Sequence, residues 1–273
     1  MGRKQVHVPG DPPMAVIMAV YLQHAAHLRG GAISVHHANR IAPWLAKYTA
    51  SQARECAAHI IKDMADHYAP GTVNRSLACL KKGLSLAWEQ NLAPENYGLR
   101  IKPLAVNNKR EVFLTVDQVH QLASHCTLQV QAVIWAALLT GARRGELLKI
   151  KSQDIGQDEI VLQATNTKTQ RRRVIPIVAA LRPWLGYFPL AITAEGVKSA
   201  WQRARKAEGM NHVNFHDLRH SCASILLRCG VDLYTIGKLL GHANTQTTQR
   251  YAHLQIEQQR TALDKLSQLI VNR

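Results

Sequence analysis

Aromatics, acids and long apolar runs are all scarce in this sequence, and each shortage excludes a class of protein. Aromatic residues make up 5% of the chain, too few for a β-sandwich built on aromatic strands. No apolar run approaches the roughly 18 residues of a membrane span, so no membrane partner is expected. Cys56, Cys79, Cys126, Cys222 and Cys229 show no CxxC spacing. Their odd number and the lack of a signal-peptide pattern imply reduced thiols and a cytoplasmic location. Internal repeats and low-complexity tracts are missing too. The largest shortage is of carboxylates: 18 Asp+Glu stand against 34 Lys+Arg, a net charge of +16.

Such an excess suits a polyanion, nucleic acid ahead of anionic membrane. Split at residue 105, the chain carries 12 basic and 6 acidic residues before the cut, then 22 and 12 after it. Both halves are basic, which excludes a lone basic tail and fits a partner gripped from two sides. With 273 residues, 47% of them hydrophobic, the chain can bury two modest cores.

Periodicity divides it further. Residues 1–13, with two glycines and three prolines, read as a flexible tail. Four helical patterns fill 14–104. "MAVIMAVYLQHAAHLRG" ends at Gly30 and Gly31. "SVHHANRIAPWLAKYT" has Ser34 as its candidate cap and Pro43 as an expected break or kink. "SQARECAAHIIKDMADHYA" stops before Pro70, and "TVNRSLACLKKGLSLAWEQNL" stops before Pro94. Proline, paired asparagines and basic residues in "RIKPLAVNNKREVF" break the periodicity and place a linker at 105–111. In 112–273, Thr115 caps "VDQVHQLASHC", the apolar "LQVQAVIWAALLT" ends at Gly141, and "RGELLKI" is a short helix. "EIVLQAT" and "RRRVIPIV", on either side of polar "NTKTQ", predict a β-hairpin. Helices return at "AALRPWLGYF", "TAEGVKSAWQRARKAEG", "HDLRHSCASILLRCG" and "DLYTIGKLLGH". A tail helix then puts Leu263, Leu266 and Ile270 on one face. The expected fold is mainly α: an N-terminal helical domain, then a mostly helical domain with a small antiparallel β-sheet.

Several short pieces could carry chemistry. Arg143 closes a Thr-Gly turn at a helix start, and Glu146 follows three residues later. The arginine could present its fork to a phosphate with the glutamate holding it, or the two could be a surface ion pair. Lys168 sits at the hairpin tip before Arg171, Arg172 and Arg173, as a basic finger or a solvated turn. His216 and His220 are four apart on a helix, with Arg219 between them. Zinc is disfavoured, because no glutamate stands in the metalloprotease position and no third ligand is near. A His and an Arg converging on one anion is more economical; a capping and packing cluster is the alternative. His242 follows Gly241 at a helix end, and Asn244 or Thr245 can cap a short helix carrying Tyr251. Alone, that tyrosine is a packing or surface residue. A phenol titrating near 10 attacks only with help, from cations that favour the phenolate and a histidine that takes the proton.

The order is more specific than any piece. "TGARRGELL", "TKTQRRRVIPI", "HDLRH", "LLGH" and "TTQRYAH" appear in sequence within one basic domain. Residues 112–253 thereby resemble the tyrosine recombinase (phage integrase) family, whose signature runs Arg, Lys, H-x-x-R, His or Trp, Tyr. The preceding helical unit, residues 14–104, resembles that family's core-binding domain, most typically in "TVNRSLACLKKGLSLAW".

The resemblance implies a site-specific DNA recombinase or integrase, serving phage or mobile-element integration in a bacterial or phage-infected cell. Tyr251 would attack the scissile phosphate and leave a 3′-phosphotyrosine and a free 5′-hydroxyl, with no cofactor, ATP or metal. Arg143 and Arg219 would clamp the phosphate oxygens. Lys168 would protonate the leaving oxygen, His216 accept or orient the tyrosine proton, and His242 hydrogen-bond the phosphate. Glu146 and His220 would support the site. Arg143 is preferred to Arg144 because it follows Thr-Gly by the family's one-residue gap. Double-stranded DNA would be held by Arg75, Lys81, Lys82, Arg171, Arg172 and Arg173. The tail would dock on a neighbour, giving a homotetramer on two duplexes. With about 14 residues ahead of the first helix, no arm-binding domain is expected. The alternatives are a type IB topoisomerase-like relaxase and a non-catalytic DNA-binding regulator. A lost catalytic residue would mark the regulator, and none is lost.

Overall fold

A computed structural model gives the fold and describes residues 10–106, 112–167, 171–242 and 251. The chain divides into two compact units, Met1–Asn108 and Lys109–Arg273. The first holds four α-helices among its described residues: α1 (Met14–Ala26), α2 (Gly31–Leu45), α3 (Ala53–Ala65) and α4 (Pro70–Glu89). Ile17, Met18 and Tyr21 of α1 share one core with Ile41 of α2, Ile60 of α3, and Leu77, Leu80 and Leu84 of α4. Each such Leu or Ile contributes roughly 1.5–3 kcal/mol by leaving water. Gly83 sits where α1 meets α4. A Cβ there would stand 3.2 Å from Tyr21 and 3.3 Å from Ile17.

Three local expectations are corrected in this unit. α2 begins at Gly31, so Ser34 lies inside the helix rather than capping it. The chain reverses so tightly that a Cβ at Gly31 would meet the Ala25 carbonyl oxygen at 2.2 Å, so glycine is needed at the helix start itself. Pro43 does not break α2, which runs on to Leu45. It falls in the last turn, where few hydrogen bonds follow that it can disrupt. Residues 11–13 are not loose: Ser51 N–H donates to the Asp11 carboxylate at 2.8 Å, and Ala50 N–H donates to the Pro12 carbonyl at 2.9 Å. Residues 1–9 and 107–111, parts of the expected tail and linker, lie outside the described residues.

In the second unit come α5 (Val116–Ser124), α6 (Leu128–Thr140), α7 (Arg144–Leu147), α8 (Arg182–Leu185), α9 (Ala194–Ala207), α10 (Asp217–Arg228) and α11 (Leu233–Leu240). β1 (Glu159–Leu162) pairs antiparallel with β2 (Arg173–Pro176), with Ile160 opposite Ile175 and Leu162 opposite Arg173. The fold is mainly helical with a small antiparallel sheet, as periodicity predicts. Thr115 caps α5 reciprocally: Gln118 N–H donates to Thr115 Oγ1 at 3.2 Å, and Thr115 N–H to Gln118 Oε1 at 3.0 Å. α6 is apolar all round and buried on nearly every side. The helix expected over "AALRPWLGYF" shrinks to a 3-10 turn at Ala179–Leu181 and the four-residue α8. Pro183 can only stand at a helix start, since it has no N–H to donate backwards.

α10 differs from the other helices in what it hides. It buries Asp217, Arg219, His220, Ser221 and Ser224. Ser221 Oγ accepts from Leu114 N–H at 2.7 Å and donates to the Asp217 carbonyl at 2.8 Å. Burying polar groups is costly without partners, and in α10 Arg219 Nη2 and Ser224 Oγ have none among the described residues. No helix among the described residues is long and apolar enough to cross a membrane.

Candidate active site

Gly141 ends α6 in the left-handed region, φ +61°, and turns the chain so that Arg143 stands at the N-cap of α7. Any Cβ at Gly141 would lie 2.2 Å from Leu240 Cδ2. The turn therefore needs glycine twice, for its conformation and for the approach of α11. Glu146 grips Arg143 at both ends. Its Oε2 accepts from the Arg143 backbone N–H at 2.9 Å, and its Oε1 accepts from Arg143 Nη1 at 2.7 Å. Oε2 also accepts from Arg173 Nη2 at 3.0 Å. The Glu146 side chain is 3% exposed, a buried carboxylate made tolerable by two guanidinium partners.

Arg219 brings a third guanidinium from α10. Its Nη1 donates to the Gly141 carbonyl at 2.5 Å. Its Nη2 is buried and has no hydrogen-bond partner among the described residues. Burial pushes the Arg219 pKa down to about 9. Arg143 and Arg173 push the same way, while Glu146 and Tyr251 oppose them. Three cations around one carboxylate, with a buried donor unmet, make a seat that an anion would satisfy.

Two openings meet at Arg143. One is lined by Ala142, Arg143, Arg144, Gly145, Phe215, His216 and Arg219. The other holds Arg143 and Glu146 together with Thr167, Arg171, Arg172, Lys238 and His242. The structure thus gathers Arg143, Arg219 and His216 on one side, with Arg143, Glu146 and His242 on the other. Arg144 shares the first opening but not the bond to Glu146. Lys168 lies outside the described residues, as do Asn244, Thr245 and the tail face of Leu263, Leu266 and Ile270. Thr167 and Arg171 both line the second opening.

Tyr251 is 2% exposed and joins Ala223, Leu227, Ile236 and Leu240 in a small apolar cluster, with Phe113 packed against it. Its hydroxyl lies 2.6 Å from Nδ1 of His220. His216 stands exposed at the start of α10, its ring edge-on to His220 at 4.9 Å. The family resemblance gives His216 the task of accepting or orienting the tyrosine proton, whereas the structure puts His220 on the hydroxyl. Nothing in the i,i+4 spacing says which histidine reaches Tyr251.

The candidate DNA contacts divide. Arg75 and Lys82 on α4 are exposed, Lys82 facing Glu89 at 3.7 Å, and Lys81 is half-buried. Arg171 and Arg172 are exposed. Arg173 is corrected: its side chain is 10% exposed and turns inward to Glu146 and to the Leu239 carbonyl. A signal for this was present. Along β2, Arg173 shares the face of buried Ile175, because strand side chains alternate.

A model of the phage integrase family matches residues 190–258. The tyrosine recombinase XerC of Alcanivorax borkumensis is 28% identical over 214 residues, 68% of this chain and 70% of the relative. XerC of Corynebacterium glutamicum is 34% identical over 146 residues, 46% and 47% of the two chains. XerD of Rickettsia bellii is 27% identical over 231 residues, 70% and 76%. All of these matches are to the tyrosine recombinase (phage integrase) family. Site-specific recombination is the function of that family. The fold is that of a lambda integrase dimer solved on a COC′ core site, with a TM-score of 0.72 at 17% identity over 87% of this chain and 94% of that one. A Tn1549 transposon integrase solved with circular intermediate DNA matches with a TM-score of 0.68 at 16% identity, over 94% and 100%.

Proposed function

We propose that this chain cleaves and rejoins double-stranded DNA through a covalent 3′-phosphotyrosine at Tyr251. The observation that carries this reading is the buried, half-satisfied Arg219 guanidinium, which opens with Arg143 and His216 onto one cavity. In the reaction the Tyr251 oxygen bonds to phosphorus and the bond from phosphorus to the 5′-oxygen breaks. The phenol proton passes to a histidine, and the leaving oxygen takes a proton from Lys168. Attack by another strand's 5′-hydroxyl reverses each step. The extra negative charge on the equatorial oxygens falls to Arg143 and Arg219, with a hydrogen bond from His242.

Tyr251 is not among the residues lining that cavity. Its bond to His220 is therefore read as a resting pose. His216, which does line it, takes the proton once the phenol reaches the phosphate. The exposed Arg75, Lys82, Arg171 and Arg172 and the half-buried Lys81 supply duplex contacts. Recombination on two duplexes in a homotetramer, for mobile-element integration, is the biological setting this reading favours. A lambda integrase tetramer has been solved on a Holliday junction.

The test is a trapping experiment. The duplex best bound from a randomised library is prepared with single nicks, so that a cleaved end diffuses away. Wild type forms a denaturant-resistant protein–DNA adduct, and Tyr251→Phe forms none. An unreactive wild type would reduce the chain to a DNA-binding regulator. Trapping by Tyr251→Phe would move the nucleophile elsewhere.

A further inference from the structure

We propose that Arg173 is a positioning residue of the reaction centre, clamping the C-terminal end of α11 to the carboxylate that holds Arg143. This rests on the strand-transfer reading above and adds a residue to it.

The fork of Arg173 spans two elements. Nη2 donates to Glu146 Oε2 at 3.0 Å, and Nη1 donates to the Leu239 carbonyl at 2.5 Å. Glu146 passes the connection on to Arg143 through the 2.7 Å bond from Nη1. Leu239 is in the last turn of α11, whose orphan carbonyls need donors. Gly241 and His242 follow directly. Gly241 leaves room for the fork, since a Cβ there would stand 3.1 Å from Arg173 Cδ and 3.3 Å from Nη1. Glycine at that position thus serves both the left-handed turn, φ +67°, and the passage of the arginine.

The connection joins three candidate groups that are far apart in sequence. Arg143 opens α7, His242 follows α11, and Arg173 begins the strand after the hairpin tip. A single side chain therefore bridges the elements that carry two proposed phosphate ligands, Arg143 and His242. Lysine cannot replace it, because one ammonium on a flexible stem does not reproduce a planar fork held at two ends. The side chain is also largely buried, with burial lowering its pKa and Glu146 opposing that shift. A residue spent in this way adds little to the DNA surface.

The experiment separates positioning from DNA contact. Arg173→Met and Arg173→Lys are compared with wild type on the nicked library duplex, by binding anisotropy at several salt concentrations and by single-turnover adduct formation at saturating DNA. For a positioning residue, the adduct rate falls on the order of 10–100-fold in Arg173→Met. DNA affinity and its salt slope stay unchanged. Arg173→Lys keeps a charge beside Glu146 but loses the second anchor, so its rate falls between the two. If Arg173→Met fails to fold, the lysine variant decides alone: a reduced rate with an unchanged slope. An unchanged rate, with a log–log salt slope shallower by about 0.9, would make Arg173 a phosphate contact and overturn the proposal. A wild type that forms no adduct is the separate failure of the strand-transfer reading. The clamp is then scored by unfolding Arg173→Met, Glu146→Gln and the double variant. Coupling of about threefold or more in the unfolding constant supports it, and additivity overturns it.

Discussion

The Tyr251 hydroxyl lies 2.6 Å from Nδ1 of His220, while His216, one helical turn earlier, faces the cavity of Arg143 and Arg219. The two histidines are thereby given different work, and substitution should separate them. His216→Gln should slow adduct formation about 10²–10⁴-fold, the usual yield of a positioned proton acceptor. His220→Phe should slow it less than about tenfold and instead loosen Tyr251, whose buried hydroxyl then lacks this partner at a cost of about 1–3 kcal/mol. Single-turnover trapping and hydrogen exchange around residue 251 read the two effects. A larger rate loss at His220 than at His216 would exchange the roles.

Arg219 should be worth more to anion binding than to stability. Replacing it by methionine removes a half-satisfied buried charge, so the unfolding free energy should change by no more than about 1 kcal/mol. The adduct rate should fall roughly 10²–10³-fold. Inorganic phosphate at constant ionic strength should raise the wild-type Tm by a few degrees and leave that of Arg219→Met unmoved. Equal stabilisation of both proteins would place the anion elsewhere.

The depressed pKa of Arg219 fixes the sign of a pH effect. With a folded-state value of about 9, well below that of a guanidinium in the unfolded chain, the group is charged in both states at pH 7, and the cost of burying its charge is fully present. Above pH 9 the native state sheds the proton first, so this group's contribution to stability rises with pH. Phosphate binding, which needs the charge, should weaken over the same range. Titration of phosphate affinity from pH 7 to 10 in wild type, with Arg219→Met as reference, checks both directions.

Two glycines with similar backbones should respond differently to alanine. Gly141 and Gly209 have φ of +61° and +66°, but only at Gly141 would a Cβ collide, 2.2 Å from Leu240; Gly209 has nothing within 4 Å. Gly209→Ala should cost about 1 kcal/mol, from backbone strain alone. Gly141→Ala should cost about 2–4 kcal/mol, because overpacking adds to the strain. Chemical denaturation of the two variants gives the comparison.

Exposed Arg171 and Arg172 should each behave as phosphate contacts. Alanine at either should lower affinity for all duplexes alike and make the salt slope shallower by about 0.9 per contact. Anisotropy titrations against two unrelated duplexes test this. Loss confined to one sequence would point to base readout instead.

Features that depend on neighbours in the chain were legible in the sequence. Thr115 caps α5 because Gln118 is three residues away, and Gly141 ends α6 because a left-handed residue was needed there. The hairpin was readable for the same reason, from alternation on either side of a polar turn. Ser34 misled because the need for glycine at Gly31 comes from Ala25, across a turn whose tightness no cap rule encodes.

The sequence by itself determined the helical class, the hairpin and the family, since propensity, period-2 alternation and motif order are local properties of the chain. Only the tertiary structure decided which histidine holds Tyr251, which arginine turns inward and which guanidinium is left wanting an anion. Those outcomes rest on contacts 31, 66 and 78 residues apart in the chain, Tyr251 to His220, Arg173 to Leu239 and Arg219 to Gly141. At such separations a side chain's partner is set by how the helices and the hairpin pack, and burial then turns each unmet or shared hydrogen bond into an energetic demand.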